Sequence, residues 1–108
     1  PITRRRARRR VIGCSGGTMS QGPTRGAWLR EEARLSAPIA AAMCDLAGLR
    51  PGQAVLDLAC GIGEPALEAA RRVGPSGRVW GIDLDAEALA IARGRATELP
   101  NTAFVHGD

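Results

Sequence analysis

Apolar residues between positions 27 and 48 recur at helical spacing, with Ile39, Met43 and Leu46 at i, i+4 and i+7. The segment therefore predicts a helix, with Ser36 and Pro38 as its cap and first turn. Gly48 stops it, and Arg-Pro-Gly-Gln at 50–53 turns the chain. Residues 54–59 form a short, nearly continuous apolar run, as expected of a parallel strand covered on both faces. Asp57 interrupts that run, and a carboxylate buried there calls for a charged partner nearby. Residues 64–73 read as a second helix, with Glu64 in its first turn, Arg71 and Arg72 in its last, and Glu68 placed to pair with Arg72. After the turn at 74–77, residues 78–83 give a second strand. Asp85 and Glu87 open a further helix whose Ala88, Leu89, Ala92, Ala96 and Leu99 share one face, and Arg93 and Arg95 suit its carboxyl-terminal dipole. Leu-Pro-Asn at 99–101 breaks it, and residues 102–105 begin a third strand.

The order helix, β, α, β, α, β implies an α/β fold, a Rossmann-like, right-handed parallel sheet with flanking helices that stops after its third strand. At 108 residues, 44% apolar and 24% charged, the chain has the composition of one small globular domain. No run of 18 apolar residues suggests a membrane span. The charge is unevenly placed. Residues 1–30 hold eight arginines and no acidic residue, whereas residues 31–108 carry seven arginines against eleven Asp or Glu. A nucleic-acid-gripping patch would belong to the folded part, so no nucleic-acid partner is expected. Cys14, Cys44 and Cys60 form neither a paired framework nor a CxxC, which fits reduced cytoplasmic thiols and no metal.

Residues 1–26 are expected to be a disordered Arg-rich leader, and residues 27–108 the folded unit. The leader lacks the apolar stretch of a secretory or twin-arginine signal, and Val-Ile-Gly-Cys at 11–14 matches a lipoprotein box only by its letters. An organelle transit peptide and an RNA-binding tail are further readings. The favoured one is that the natural start is Met19 and not Pro1.

Ligands of such sheets bind at the carboxyl ends of the strands, where Asp57, Asp83 and Asp108 all fall. Gly61 and Gly63 let the backbone turn sharply and approach a ligand. Asp83, twenty residues after Gly63, is placed to accept from two ribose hydroxyls. Residues 61–66 also satisfy the G-x-G-x-x-[G/A] dinucleotide pattern, which keeps an NAD or FAD oxidoreductase domain open. Asp57 and Glu64 beside the turn would repel a pyrophosphate and favour a ligand with a positive end. A non-catalytic interaction module with a basic tether is the alternative from another class.

With these residues in view, Val-Leu-Asp-Leu-Ala-Cys-Gly-Ile-Gly-Glu-Pro-Ala at 55–66 resembles motif I of the class I S-adenosylmethionine-dependent methyltransferases. Residues 78–96 resemble that family's second strand and following helix, and residues 104–108 its third strand. Ubiquinone and menaquinone enzymes are the group it is most similar to. The resemblance implies S-adenosyl-L-methionine as cofactor and methyl transfer to a small-molecule acceptor. It implies that Asp57 and the Gly61–Gly63 turn, with Ala59 and Cys60 beside them, hold the methionine end, Asp57 near the amino group. Asp83 would bind the ribose hydroxyls, Leu84 would pack on adenine, and Asp108 would meet the adenine amino group. No catalytic residue is implied. The family continues through four more strands, so the expectation is a shortened or incomplete product with an exposed edge on its first strand. Cys60 is read as a small buried filler, His106 as a strand-end residue, Trp28 as packing, and Trp80 as core or interface area.

Overall fold

The computed structural model describes residues 22–108. The expected leader lies outside these residues except at its last positions. Helix α1 spans Arg25–Leu46, β1 Ala54–Leu58, α2 Ala66–Val73, β2 Arg78–Asp83, α3 Ala86–Arg95 and β3 Thr102–His106. The strands form one parallel sheet in the order β1-β2-β3, with Asp57 opposite Gly81 and Gly81 opposite Phe104. The expected α/β alternation is present throughout. Among the described residues β1 pairs on one side only, as expected of an edge.

Helix α1 starts earlier than its apolar spacing indicated. Thr24 caps it, the Thr24 hydroxyl accepting from the Ala27 N–H at 3.1 Å, and Pro38 lies inside a continuous helix. Ser36 is therefore no cap; its hydroxyl donates to the Ala33 carbonyl at 3.2 Å. The Pro38 ring costs one backbone bond, and the exposed face of α1 leaves the freed carbonyl to water. The buried side is Ala33, Ala40 and Cys44, not the predicted stripe: Ile39, Met43 and Leu46 are exposed, as is Trp28. Spacing identified the helix but not the flank that packs.

The sheet is covered on one face. Val55, Val79 and Phe104 point toward α2 and α3 and join Leu67, Val73 and Leu89 in the core. Residues of the other parity, Leu56, Leu58, Trp80 and Val105, are exposed. The expectation of a strand buried on both faces is thus corrected, because all three helices stack on the same side and α1 rests on α2 and α3. An uninterrupted apolar run reports hydrophobicity on both faces, not whether each has a cover.

Helix α2 begins at Ala66, two residues later than expected, and α3 is capped as anticipated. The Asp85 carboxylate accepts from the N–H groups of Glu87 and Ala88 at 3.1 Å each. Arg25 pairs with both Asp85 and Glu87, and this contact, with the two capping bonds, pulls the Asp85 carboxyl down to about 2. The predicted Glu68–Arg72 pair forms at 2.9 Å, and Arg72 also reaches Asp45 and the Ala41 carbonyl on α1. Asn101 donates to the carbonyls of Ala70 and Gly74, closing the end of α2 against the start of β3.

Candidate functional site

Chain direction after β1 is set by backbone that most residues avoid. Ala59 has φ of 59°, Gly61 of 54° and Gly63 of 105°. Glycine accepts such angles freely, whereas Ala59 stores strain on the order of 1–2 kcal/mol. A Cβ at Gly61 would meet nothing within 4 Å, so its backbone is open to a ligand, while one at Gly63 would crowd Leu67 at 3.0 Å. The turn is pinned from outside. Asp83 Oδ2 accepts from the Gly61 N–H at 2.7 Å, the Cys60 carbonyl from the Gly63 N–H at 2.9 Å, and the buried Ile62 packs on Ala33 and Ala88.

The charged partner expected for Asp57 is not a side chain among the described residues. Asp57 Oδ2 accepts from the Ala66 N–H at 3.1 Å, so the carboxylate sits at the N-terminus of α2 and replaces the side-chain cap that Pro65 cannot supply. Its other oxygen accepts no hydrogen bond from the described residues. Burial pushes the Asp57 carboxyl above the usual range; the Ala66 bond opposes this, and the nearby Asp83 and Glu64 add to it. Asp83 is held by backbone on both sides, its Oδ1 accepting from the Asp85 N–H at 2.8 Å. No described residue forms an ion pair with Asp57 or Asp83.

Glu64 differs from these two. Arg95 Nη2 pairs with its Oε1 at 2.7 Å, and Arg95 Nη1 donates to the Ile62 carbonyl at 2.7 Å. The acidic flank expected from the sequence is therefore reduced to Asp57. Arg95 and Arg93, read as helix-dipole residues, instead make specific bonds, Arg93 to the Phe104 carbonyl at 2.7 Å. Their partners lie 11 to 33 residues away, and no local pattern announces them. Gly81 was likewise missed: a Cβ there would sit 2.6 Å from the Phe104 ring and 2.8 Å from Cys60 Sγ.

Two clefts flank the turn. Asp83, Leu84 and Asp108 line one of about 300 Å³ together with Ala59. Ala59, Cys60 and Gly61 line another of about 170 Å³ closed by Leu29 and Ser36 of α1. Asp57 stands apart, in an apolar cleft with Met43 and Pro65 at the start of α2. Leu84 is exposed beside Asp83, and His106 at the end of β3 donates from Nε2 to the Leu84 carbonyl at 2.8 Å. Cys60 is fully buried, and burial, with Asp57 and Asp83 nearby, raises its thiol to about 11, so it stays protonated and unreactive. The burial expected of Cys60 is thus present. Another cleft, of about 390 Å³, lies at the opposite strand ends around Gly74 and Asn101 and shares no residue with the turn.

A parallel sheet with a glycine turn and acidic strand tips at its carboxyl edge defines a cofactor-binding α/β protein. Residues 55–108 match the family described as a methyltransferase domain, and the chain belongs to that family, the class I S-adenosylmethionine-dependent methyltransferases. It is 51% identical over 49 residues to a 2-phytyl-1,4-naphtoquinone methyltransferase of Trichormus variabilis, covering 45% of this chain and 21% of that protein. It is 36% identical over 61 residues to a demethylmenaquinone methyltransferase of Staphylococcus aureus, covering 56% of this chain and 25% of that protein. Among solved structures it is similar to an RNA methyltransferase from Salinibacter ruber in complex with S-adenosyl-L-homocysteine. The TM-score is 0.59 at 30% identity, over 66% of this chain and 47% of that one. The chain spans about a quarter of the length of these curated relatives.

Proposed function

We propose that this chain carries the cofactor half of an enzyme that transfers the methyl group of S-adenosyl-L-methionine to a small-molecule acceptor. The observation that carries the reading is the electrostatics of the turn. The α2 amide that a pyrophosphate would use is taken by Asp57, and neither Asp57 nor Asp83 has a cation among the described residues. A ligand with a positive amino acid end and a neutral ribose suits that arrangement, and a dinucleotide does not. The open backbone at Gly61 and the exposed Leu84 supply a cradle and a platform.

In this reading the Gly61–Gly63 turn, with Ala59 and Cys60, holds the methionine end and Asp57 faces its ammonium. Asp83 accepts from the ribose hydroxyls, Leu84 packs on adenine, and Asp108 meets the adenine amino group. The bound cofactor supplies a methyl group already activated by its sulfonium centre. The residues of this chain position that group and keep water from it, and they need no protein nucleophile. The acceptor is read as a small molecule because the relatives are named for quinone substrates, and because residues 31–108 are net acidic. No helix among the described residues is long and apolar enough to cross a membrane. A cytoplasmic setting suits the free thiols of Cys44 and Cys60.

Titration with S-adenosylhomocysteine and NAD in parallel tests the reading. Heat of binding with the first alone is the expected result; a response to NAD alone would overturn it. The Asp57 reading has its own pH signature. Because its folded-state pKa is raised, Asp57 adds stability below the ordinary carboxylate range and withdraws it as pH rises through the raised value. Asp57→Asn should therefore flatten that loss as pH rises above the ordinary carboxylate range, while weakening S-adenosylhomocysteine binding at neutral pH by roughly tenfold. Thermal unfolding against pH, with calorimetry at neutral pH, checks both. An unchanged affinity would remove Asp57 from the site.

A further inference from the structure

We propose that Arg95, at the end of α3, is a positioning residue for cofactor capture, acting through the Ile62 carbonyl and Glu64 on the Gly61–Gly63 turn. The inference rests on the cofactor reading above. Both glycines have positive φ and neither restrains its own backbone, so the shape of the turn is decided by what grips it from outside. The Asp83 carboxylate grips Gly61 on one side, and Ile62 anchors its side chain under α1 and α3. Arg95 grips the other side: one guanidinium nitrogen takes the Ile62 carbonyl between the two glycines, the other the Glu64 carboxylate just past them, each at 2.7 Å.

Glu64, 14% exposed, is also the most enclosed ion-pair partner among the described residues. A guanidinium holds a carbonyl and a carboxylate at once because its donors diverge within one plane as a rigid fork, whereas a lysine ammonium is a compact charge that lacks the fork. The pair does a second thing at the site. It neutralises Glu64, leaving Asp57 and Asp83 as the charges a cationic ligand meets. A turn fixed in advance spares the ligand the cost of ordering it.

The test compares the unaltered protein with Arg95→Met, Arg95→Lys and Glu64→Gln by S-adenosylhomocysteine calorimetry and by amide exchange at Gly61 and Gly63. The expected result is roughly tenfold weaker binding in Arg95→Met and smaller losses in Arg95→Lys and in Glu64→Gln, the latter keeping the Ile62 bond while losing the carboxylate grip. Exchange at the two glycines should quicken in the same order while the sheet amides stay protected. Equal affinity of Arg95→Met and the unaltered protein would overturn the inference, as would weakened binding with unchanged exchange at the turn. Should Arg95→Met not fold, Arg95→Lys decides by the same two readouts. If the unaltered protein itself binds no S-adenosylhomocysteine, the cofactor reading fails and the role of Arg95 in capture falls with it.

Discussion

Asp83→Ala should lower S-adenosylhomocysteine affinity by more than about a hundredfold and lower the thermal midpoint as well. The carboxylate does two structural tasks beside the proposed ribose contact, accepting from the Gly61 N–H at 2.7 Å and from the Asp85 N–H at 2.8 Å. Hydrogen bonds to a charged group contribute about 1.5–3 kcal/mol each, and both are lost while their backbone donors stay in place. Gly61 then loses its fixed position, and the start of α3 loses the bond that sets Asp85. Asp83→Asn separates the roles, since an amide has one accepting oxygen and can serve only one of the two N–H groups. It should fall between the unaltered protein and Asp83→Ala in both calorimetry and thermal unfolding. Binding retained within tenfold in Asp83→Ala would exclude the residue from the cofactor site.

Gly81→Ala should cost about 1–3 kcal/mol of stability through overpacking. A methyl group there would lie 2.6 Å and 2.8 Å from two carbons of the Phe104 ring and 2.8 Å from Cys60 Sγ, and none of these is a flexible chain end. Cys60 opens the turn, so the clash also displaces the residue whose carbonyl accepts from the Gly63 N–H. Urea unfolding should show the loss, and S-adenosylhomocysteine affinity should fall with it. Adding Cys60→Ala should recover part of the stability, because the sulfur contact is removed and the ring contact remains. Additive losses in the double variant would show that the sulfur is not what the methyl meets.

Much of this site was legible beforehand because its signals are local. Gly61 and Gly63 follow an apolar run by a fixed count, and Asp83 ends the next one. The face shared by Ala88, Leu89 and Ala92 is buried as its periodicity demanded. The cap at Asp85 also follows from neighbours two and three residues on. The local pair Glu68–Arg72 forms as its spacing indicated, whereas inferences about what packs on a whole element failed. The stripe Ile39, Met43 and Leu46 identified a helix and then proved to face outward. The run at 54–59 identified a strand and overstated its cover. Asp57 was recognised as a charge out of place, and its partner within the chain, a backbone amide nine positions later, was not foreseen.

The sequence by itself determined the alternation of elements, the turn and the acidic strand tips, since each depends on side-chain periodicity and backbone preference within a few residues. Tertiary structure alone decided which face of the sheet is covered, that Gly81 must stay without a side chain, and that Arg95 reaches back 33 residues to the turn. These are contacts between segments far apart in the chain. Their identity depends on how helices and strands stack, and spacing along a single segment carries no record of that.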